Sequence, residues 1–362
     1  MISKLIYTQQ NSLSVESRGR FYASRAGVAP GENRLMVGNG GLLQPLHPVV
    51  RGTMILLLFV WSLSLVSASD ESLPYPGSRL VMVDSVQIHY REFGEFGDDT
   101  RGSVLLVHGF AGSTFSWRYV ADTLVAHGFH VVAVDVPPFG YSDKDPLLNQ
   151  SFTYRARLLQ RLLVQQWPER KWHLVGHSMG GGMVQSMGIM YLEQLLSLTI
   201  VNGAIFSSIT PGEYKAPWAV RGAVRRELAL WFARPALLNR WMVRRFLASA
   251  YGRKPSPAEV TGYLTPLKLR GTSRAIINSP SVSKENASLS VGDLTLPTLV
   301  IWGENDTWLR FEAFKETAEK IPDGQIVVIP QAAHCPMETH PYYFNRLLLA
   351  FLSQQVAGLG KQ

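Results

Sequence analysis

Short apolar runs alternate with longer segments of helical pattern between residues 103 and 201. The predicted strands are 104–107, 131–136, 172–175 and 198–201, and the predicted helices are 116–127, 153–166 and 179–191. Parallel strands need a crossover between them, and an alternating strand and helix pattern supplies it. Two short runs at 79–84 and 86–91 precede this region and predict a hairpin. The chain is therefore predicted to form an α/β fold with a mostly parallel central sheet.

The alternation stops after Ala204 and resumes at Pro297. Residues 207–290 contain seven prolines and several helical stretches, but no continuous apolar strand. We therefore predict a helical cap at 207–290, inserted between two parts of one α/β core at 75–206 and 291–355. A last helix is predicted at 341–354, where it would pack on the sheet.

The predicted cap accounts for the excess of positive charge in the chain, whose formal net charge is +8. Lys and Arg far outnumber Asp and Glu there, and arginines alternate with tryptophans between residues 218 and 251. Basic amphipathic helices with tryptophan favour an anionic membrane surface. Equally, the arginines could simply face water while the apolar side of the cap covers a pocket. A nucleic-acid partner is not expected, because no recognition motif accompanies the charge.

The N-terminal part of the chain has a different composition. Residues 1–53 show little periodicity and predict an irregular extension. Residues 54–66 are uncharged and are followed by Ser67, Ala68 and Ser69. This stretch is short for a membrane span of roughly 20 residues, and it is typical of a signal peptide with small residues at the cleavage site. We expect residues 54–69 to be a signal peptide or a membrane anchor, and the protein to be exported or membrane-anchored.

A serine occupies the predicted turn from the strand at 172–175 to the helix at 179–191, in the sequence Gly-His-Ser-Met-Gly. A sharp turn that lifts a side chain above a sheet edge imposes strained dihedral angles on that residue, and flanking glycines remove the Cβ atoms that would collide. Ser178 has Gly176 and Gly180 in these positions. Because the motif alone is not specific, its meaning depends on a base and an acid elsewhere.

Both partners follow in the order that this turn requires, which is Ser, then Asp or Glu, then His. Asp306 lies in the loop after a predicted strand at 297–302. His334 lies in the loop after the next predicted strand, at 325–329. We predict Ser178, Asp306 and His334 as nucleophile, acid and base at one edge of the sheet.

Backbone N–H groups are predicted to complete the site. The strand at 104–107 leads into His108-Gly109-Phe110-Ala111-Gly112, a flexible turn near the predicted position of the serine. The N–H groups of Phe110 and Met179 are assigned as the pair that binds an oxyanion.

With these motifs, the chain resembles α/β-hydrolase fold serine hydrolases of the esterase or lipase type that carry a helical cap. The matching segments are 104–112, 132–143, 174–182, 299–306 and 334–341. The chain departs from the family pattern at Pro138 and Ala333, where the family usually has glycine, and both departures concern loop shape. Some relatives carry the acid after the preceding strand, but Asn202 and Gly203 stand there, so Asp306 keeps the role.

The resemblance implies hydrolysis of carboxylic esters, including lipid or acylglycerol esters, through an acyl-enzyme. Two alternatives stay open: hydrolysis of carbon–carbon bonds in diketone-type ring-cleavage products, and a non-catalytic member of the fold that binds a ligand. No cofactor is expected, and no metal, because the nine histidines lack ligand spacing. The single cysteine, Cys335, is interpreted as a packed loop residue.

Other polar residues near these motifs are given structural roles. His177 is predicted to pack beside the nucleophile, and His108, which precedes the oxyanion turn, to be a structural hydrogen-bonding residue rather than a second base. Asp135 and Asp143 precede Ser178 in the chain and are predicted to hold a loop. Glu338 is predicted to cap or anchor the last helix.

Overall fold

A computed structural model describes residues 73–97, 100–205, 238–277 and 289–359. The predicted extension at 1–53 and the predicted signal peptide or anchor at 54–69 lie outside the described residues, as do residue 206 and, in the predicted cap, 207–237 and 278–288. Over the described ranges, no helix combines the length and the apolar character needed to cross a bilayer.

Eight strands form one sheet in the order β1-β2-β4-β3-β5-β6-β7-β8. The strands are β1 (Ser78–Val83), β2 (Val86–Phe93), β3 (Ser103–Val107), β4 (His130–Val134), β5 (Trp172–His177), β6 (Leu195–Val201), β7 (Thr298–Gly303) and β8 (Gln325–Ile329). β2 pairs antiparallel with β1 and with β4, and the other pairs are parallel. The predicted mostly parallel α/β sheet is therefore confirmed.

Helices cover both faces of this sheet. The described α-helices are α1 (Ala121–Ala126), α2 (Phe152–Gln166), α3 (Met179–Met190), α4 (Arg240–Tyr251), α5 (Pro257–Leu267), α6 (Thr272–Ile277), α7 (Lys315–Ala318), α8 (Pro336–Thr339) and α9 (Pro341–Leu359). Residues of α1 and α9 pack on one face, and residues of α2, α3 and α7 pack on the other. Because both faces are covered, β3 and β4 are buried along their whole length and consist mainly of apolar residues.

Successive side chains of these strands enter opposite cores. Val104 and Leu106 of β3 belong to the core beneath α1 and α9, whereas Leu105 and Val107 belong to the core beneath α2 and α3. This alternation follows from the two-residue period of a strand. Both faces of β3 therefore lie in a core.

The structure differs from the sequence prediction after β3. The single helix predicted at 116–127 is divided into a 3-10 turn, Thr114–Trp117, and α1. The turn is tied to the next loop, because the Thr114 N–H donates to Asp135 Oδ1 at 2.6 Å. The strand predicted at 131–136 ends at Val134, and the N–H of Val136 donates to His108 Nε2 at 2.9 Å instead of continuing the strand.

Among the described residues between β6 and β7, three helices, α4, α5 and α6, are present and are called the inserted helices below. α5 begins at a capping box: the Ser256 hydroxyl accepts from the Glu259 N–H, and the Glu259 carboxylate accepts from the Ser256 N–H. Pro257 occupies the first helical position, where its missing N–H costs nothing. Local sequence therefore sets where this helix starts.

A buried carboxylate joins the inserted helices to the core. Glu338 accepts hydrogen bonds from Arg118, from the hydroxyl of Tyr251 on α4 at 2.7 Å, and from the hydroxyl of Tyr263 on α5 at 2.5 Å. Burial raises the pKa of Glu338, and the charge of Arg118 and these three donors act in the opposite direction. The sequence interpretation of Glu338 as an anchor of the last helix is corrected, because its partners lie on α4, on α5 and before α1.

We expect Arg118→Met to lower the free energy of unfolding by about 3 kcal/mol, since it leaves a buried carboxylate without its counter-ion. Arg161→Met provides the matched control, because Arg161 pairs with Asp84 at an exposed site, where an ion pair contributes less than about 1 kcal/mol. Urea denaturation followed by circular dichroism measures both. Equal effects of the two substitutions would contradict the structural role of the Arg118 and Glu338 pair.

Candidate active site

Ser178 lies at a turn between β5 and α3 whose backbone requires glycine on both sides. Its φ is 52° and its ψ is −114°, a strained conformation for a side chain other than glycine. A Cβ at Gly176 would lie 2.3 Å from the carbonyl oxygen of Gly180, and a Cβ at Gly180 would lie 2.3 Å from the carbonyl oxygen of Val107. Only glycine allows the turn to approach β3 this closely.

His334 and Asp306 meet Ser178 at the same edge of the sheet. His334 Nε2 lies 3.0 Å from Ser178 Oγ, and His334 Nδ1 lies 2.8 Å from Asp306 Oδ2. Asp306 follows β7 and His334 follows β8, so parallel strands bring residues 28 and 156 positions apart in the chain into contact. The three residues selected from sequence form one continuous hydrogen-bonded chain.

The Asp306 carboxylate is held in an ionised state by several donors. Its Oδ1 accepts from the N–H groups of Trp308 at 2.8 Å and Leu309 at 3.0 Å, and its Oδ2 accepts from the Asn202 side chain at 2.6 Å. Burial acts to raise the pKa of Asp306, but the charge of His334 and these hydrogen bonds outweigh burial and lower the pKa. Asp306 therefore carries a fixed negative charge against the imidazole.

Asn202 is a site residue that the sequence analysis did not predict. It follows β6, is fully buried, and has a φ of 41°, a left-handed conformation that Asn tolerates better than most residues. Its side-chain N–H donates to Asp306, and its side-chain oxygen accepts from the Gly303 N–H at 3.1 Å. The sequence signal for this role is the position of Asn202 directly after β6, at the edge of the sheet where Asp306 follows β7.

The imidazole of His334 is fixed by its own backbone and by two rings. Its backbone N–H donates to the Ala250 carbonyl at 2.9 Å, and its carbonyl accepts from His177 Nε2 at 2.8 Å. The rings of Trp308 and His177 each lie 4.9 Å from the His334 ring. Burial, followed by the charge of His334, lowers the pKa of His177 to about 3. His177 is therefore neutral and positions the loop of His334.

The predicted oxyanion pair lies next to Ser178. Met179 is the first residue of α3, so its N–H has no acceptor within the helix. A Cβ at Gly109 would lie 2.9 Å from the Cβ of Ser178, so the turn that carries Phe110 approaches the serine closely. Phe110 and Ser178 line the same cavity. The donor roles of the Phe110 and Met179 N–H groups stay a prediction.

The turn after β3 is held by the residues to which structural roles were assigned. His108 Nδ1 donates to the Gly109 carbonyl at 2.7 Å, while its Nε2 accepts from Val136. Asp135 accepts from the N–H groups of Thr114 and Tyr141 and contacts His89 Nδ1 at 2.7 Å. Both predictions are confirmed. Asp143 Oδ1 accepts from the N–H of Asp145, two residues further along the same loop.

Cys335 is buried beside the site, and its Sγ lies 4.0 Å from His177 Nε2. Burial, then the charge of Glu338, raises the pKa of this thiol far above its ordinary value. A protonated thiol is a poor nucleophile, which agrees with the interpretation of Cys335 as a packed residue. In the part of the chain that the structure describes, no three His, Cys, Asp or Glu residues are arranged to hold a metal ion.

Ser178 and His334 open into a cavity of about 230 Å³ between the core and the inserted helices. Its lining is mostly apolar and comes from both parts. The apolar residues are Phe110, Phe246, Leu247, Ala250, Trp308 and Leu309. Two hydroxyl groups, of Ser116 and Tyr263, also line it. The cavity can therefore hold an apolar group against the Ser178 hydroxyl.

The model of the family described as "Alpha/beta hydrolase family" matches residues 104–347. This range contains Ser178, Asp306 and His334 and most of the sheet. The chain belongs to the alpha/beta hydrolase family. The resemblance drawn from the sequence motifs is thereby confirmed at the level of family and fold.

Individual relatives are distant and differ in activity. The chain is 23% identical over 282 residues to a 2-hydroxy-6-oxononadienedioate/2-hydroxy-6-oxononatrienedioate hydrolase of Pseudomonas sp, covering 74% of this chain and 92% of the relative. It is 24% identical over 250 residues to Lipase 3 of Moraxella sp. (strain TA144), covering 68% of this chain and 75% of the relative. Among solved structures, a membrane phospholipase A described as a bacterial virulence factor is similar with a TM-score of 0.62 and 22% identity, over 85% of this chain and 98% of that one.

We expect Asn202→Gly to slow the reaction of Ser178 with a fluorophosphonate about tenfold, since a hydrogen bond to a charged group contributes about 1.5–3 kcal/mol. Glycine removes the side-chain amide without strain at a φ of 41°. Asn345→Ala is the matched control, because the Asn345 amide is also buried but donates to Tyr119 and Thr123. Gel fluorescence measures the labelling rate of each variant. An equal fall in both variants would contradict a role of Asn202 in orienting Asp306.

Proposed function

We propose that this protein is a serine hydrolase that cleaves neutral carboxylic esters with apolar acyl or alkyl groups. The observation that carries the proposal is the hydrogen-bonded chain from Asp306 through His334 to Ser178 at the base of an apolar cavity. Membership of the alpha/beta hydrolase family supports it.

In the proposed reaction, Ser178 Oγ attacks the ester carbonyl while His334 Nε2 takes the serine proton. Asp306 holds the imidazole by Nδ1 and stabilises its charged form. The N–H groups of Phe110 and Met179 bind the negative charge that develops on the carbonyl oxygen. His334 then gives the proton to the departing alcohol, and water repeats the sequence on the acyl-enzyme to release the acid.

The lining of the cavity favours an ester over the products of ring cleavage. Diketone-type substrates that carry carboxylates need a cationic partner when they are buried, because an unpaired buried charge is costly. Within the described ranges, the residues that line the cavity include no Lys or Arg. A neutral ester meets no such cost there, and the Moraxella relative is named as a lipase.

Ser178→Ala should abolish hydrolysis of p-nitrophenyl butyrate, because it removes the only atom that forms the acyl bond in the proposed mechanism. Ser353→Ala is the matched control, since Ser353 is partly exposed on α9, accepts a hydrogen bond from Arg101, and is not among the residues that line the cavity. Release of p-nitrophenol measures both variants, and circular dichroism verifies that they are folded.

Three results would contradict the proposed function. Near wild-type hydrolysis by Ser178→Ala would exclude Ser178 as the nucleophile. A wild-type protein that hydrolyses diketo acids but none of a panel of short-chain esters and acylglycerols would establish carbon–carbon bond hydrolysis instead. A protein that acts on neither class and fails to react with a fluorophosphonate would fit the ligand-binding alternative.

We also propose that the exposed face of α4 contacts an anionic membrane surface. Arg240, Trp241, Arg244 and Arg245 are exposed along this face, and 61% of the surface of Trp241 is accessible. The Arg245 guanidinium lies 5.1 Å from the Trp241 ring. Tryptophan with several cations on one helix face is typical of helices that bind at the interface of anionic bilayers. Export or membrane anchoring through residues 54–69 stays a proposal that agrees with this contact.

Arg244→Ser should lower binding to vesicles of phosphatidylcholine and phosphatidylserine about fivefold, because each cation near an anionic surface contributes about 1 kcal/mol. Lys320→Ser, at an exposed site after α7, is the matched control. Sedimentation with vesicles measures the bound fraction. Binding that is unaffected by Arg244→Ser, or that does not depend on phosphatidylserine, would contradict the proposed contact.

A further inference from the structure

Ser116 and Tyr263 line the cavity that contains Ser178, and their hydroxyl groups lie within hydrogen-bond distance of each other. Ser116 Oγ lies 3.0 Å from the hydroxyl of Tyr263, and both residues line the cavity. Ser116 belongs to the core and lies in the turn after β3, whereas Tyr263 lies on α5. Both are buried, with 2% and 6% of their surface accessible. Most of the other residues that line the cavity are apolar.

The proton of the Tyr263 hydroxyl is directed away from Ser116. Tyr263 donates to Glu338 Oε1 at 2.5 Å, and a hydroxyl group has a single proton to donate. Glu338 also accepts from Arg118 and from the Tyr251 hydroxyl. The charge of Arg118 and the three donors favour the form of Glu338 in which both carboxyl oxygens accept hydrogen bonds. Glu338 therefore fixes the direction of the Tyr263 hydroxyl.

The same reasoning fixes the direction of the Ser116 hydroxyl. Because Tyr263 donates to Glu338, it can only accept from Ser116, so the proton of Ser116 points to Tyr263. Hydrogen bonds in such a chain polarise one another in the same direction. With its proton directed to Tyr263, Ser116 Oγ has only lone pairs left, and these can accept hydrogen bonds. A group in the cavity that reaches Ser116 Oγ therefore meets a hydrogen-bond acceptor and no free hydroxyl proton.

We infer that Ser116 accepts a hydrogen bond from a hydroxyl group of the substrate, so that the site selects esters that carry a free hydroxyl, such as partial glycerides or hydroxy-acid esters. This inference rests on the proposed ester hydrolysis. A substrate without a donor leaves Ser116 Oγ without a partner when water is displaced, which costs binding energy. A substrate with an ether oxygen at the same position is disfavoured further, because the lone pairs of the ether oxygen repel those of Ser116 Oγ.

Matched esters test the inference. One pair differs in the alcohol: glycerol monobutyrate against propyl butyrate. The other set differs in the acyl chain: methyl β-hydroxyhexanoate, its β-methoxy analogue and methyl hexanoate. The measurement is the ratio of kcat/KM between the hydroxyl ester and its analogues, because a ratio cancels any general loss of activity.

The wild-type protein should favour the hydroxyl ester in at least one of these sets by about tenfold. Ser116→Ala should reduce that ratio towards one. Tyr263→Phe should raise the relative kcat/KM of the methoxy analogue, because the Ser116 proton is then free to turn into the cavity and donate. Tyr251→Phe is the matched control: it removes a donor from the same carboxylate, and Tyr251 is not among the residues that line the cavity. It should leave all ratios unchanged.

The results distinguish a failure of the inference from a failure of the proposed function. Hydrolysis of every ester by the wild type with ratios near one, or an unchanged ratio in Ser116→Ala, overturns the inference and leaves ester hydrolysis standing. A shift of the ratios in Tyr251→Phe equal to that in Tyr263→Phe assigns the effect to the packing around Glu338 and also overturns it. A wild type that hydrolyses none of the esters overturns both.

Discussion

The close approach of two backbone segments beneath Ser178 is the constraint on which the site depends. The turn after β5 lies so near to β3 that a Cβ on Gly180 would meet the carbonyl oxygen of Val107. Packing of this kind leaves one conformation for the turn, and that conformation directs the serine side chain away from the sheet. The strained backbone conformation of Ser178 persists because the neighbouring strands are packed on both faces. These strands cannot move apart to relieve the strain without opening both cores.

The parallel sheet explains why distant parts of the sequence meet at this turn. The strands β5, β6, β7 and β8 all end at the same edge, where they deliver Ser178, Asn202, Asp306 and His334 in that order. Asn202 links the ends of β6 and β7, because its amide contacts both Asp306 and the backbone of Gly303. The inserted helices then close the space above the serine and are tied to the core by the buried carboxylate of Glu338.

Much of this arrangement could be predicted from the sequence, because it is encoded in short local patterns and in the order of residues along the chain. Buried parallel strands are runs of apolar residues, and the order of Ser178, Asp306 and His334 follows from the order of the strands. The contacts of Glu338 could not be predicted, because its partners Tyr251 and Tyr263 lie 87 and 75 positions away and on helices whose packing no short pattern encodes. The division of the helix after β3 also escaped prediction, since it depends on a hydrogen bond from Thr114 to Asp135 in a different loop.

In the proposed mechanism, Ser178 forms a covalent bond with the acyl group during turnover. Mass spectrometry can detect this bond in protein that is quenched in acid during hydrolysis of a p-nitrophenyl ester and then digested. We expect the mass of one acyl group on the peptide that contains Ser178, and loss of that mass when water is given time to react. An acyl group carried by another residue, Cys335 included, or turnover during which every peptide stays unmodified, would contradict it.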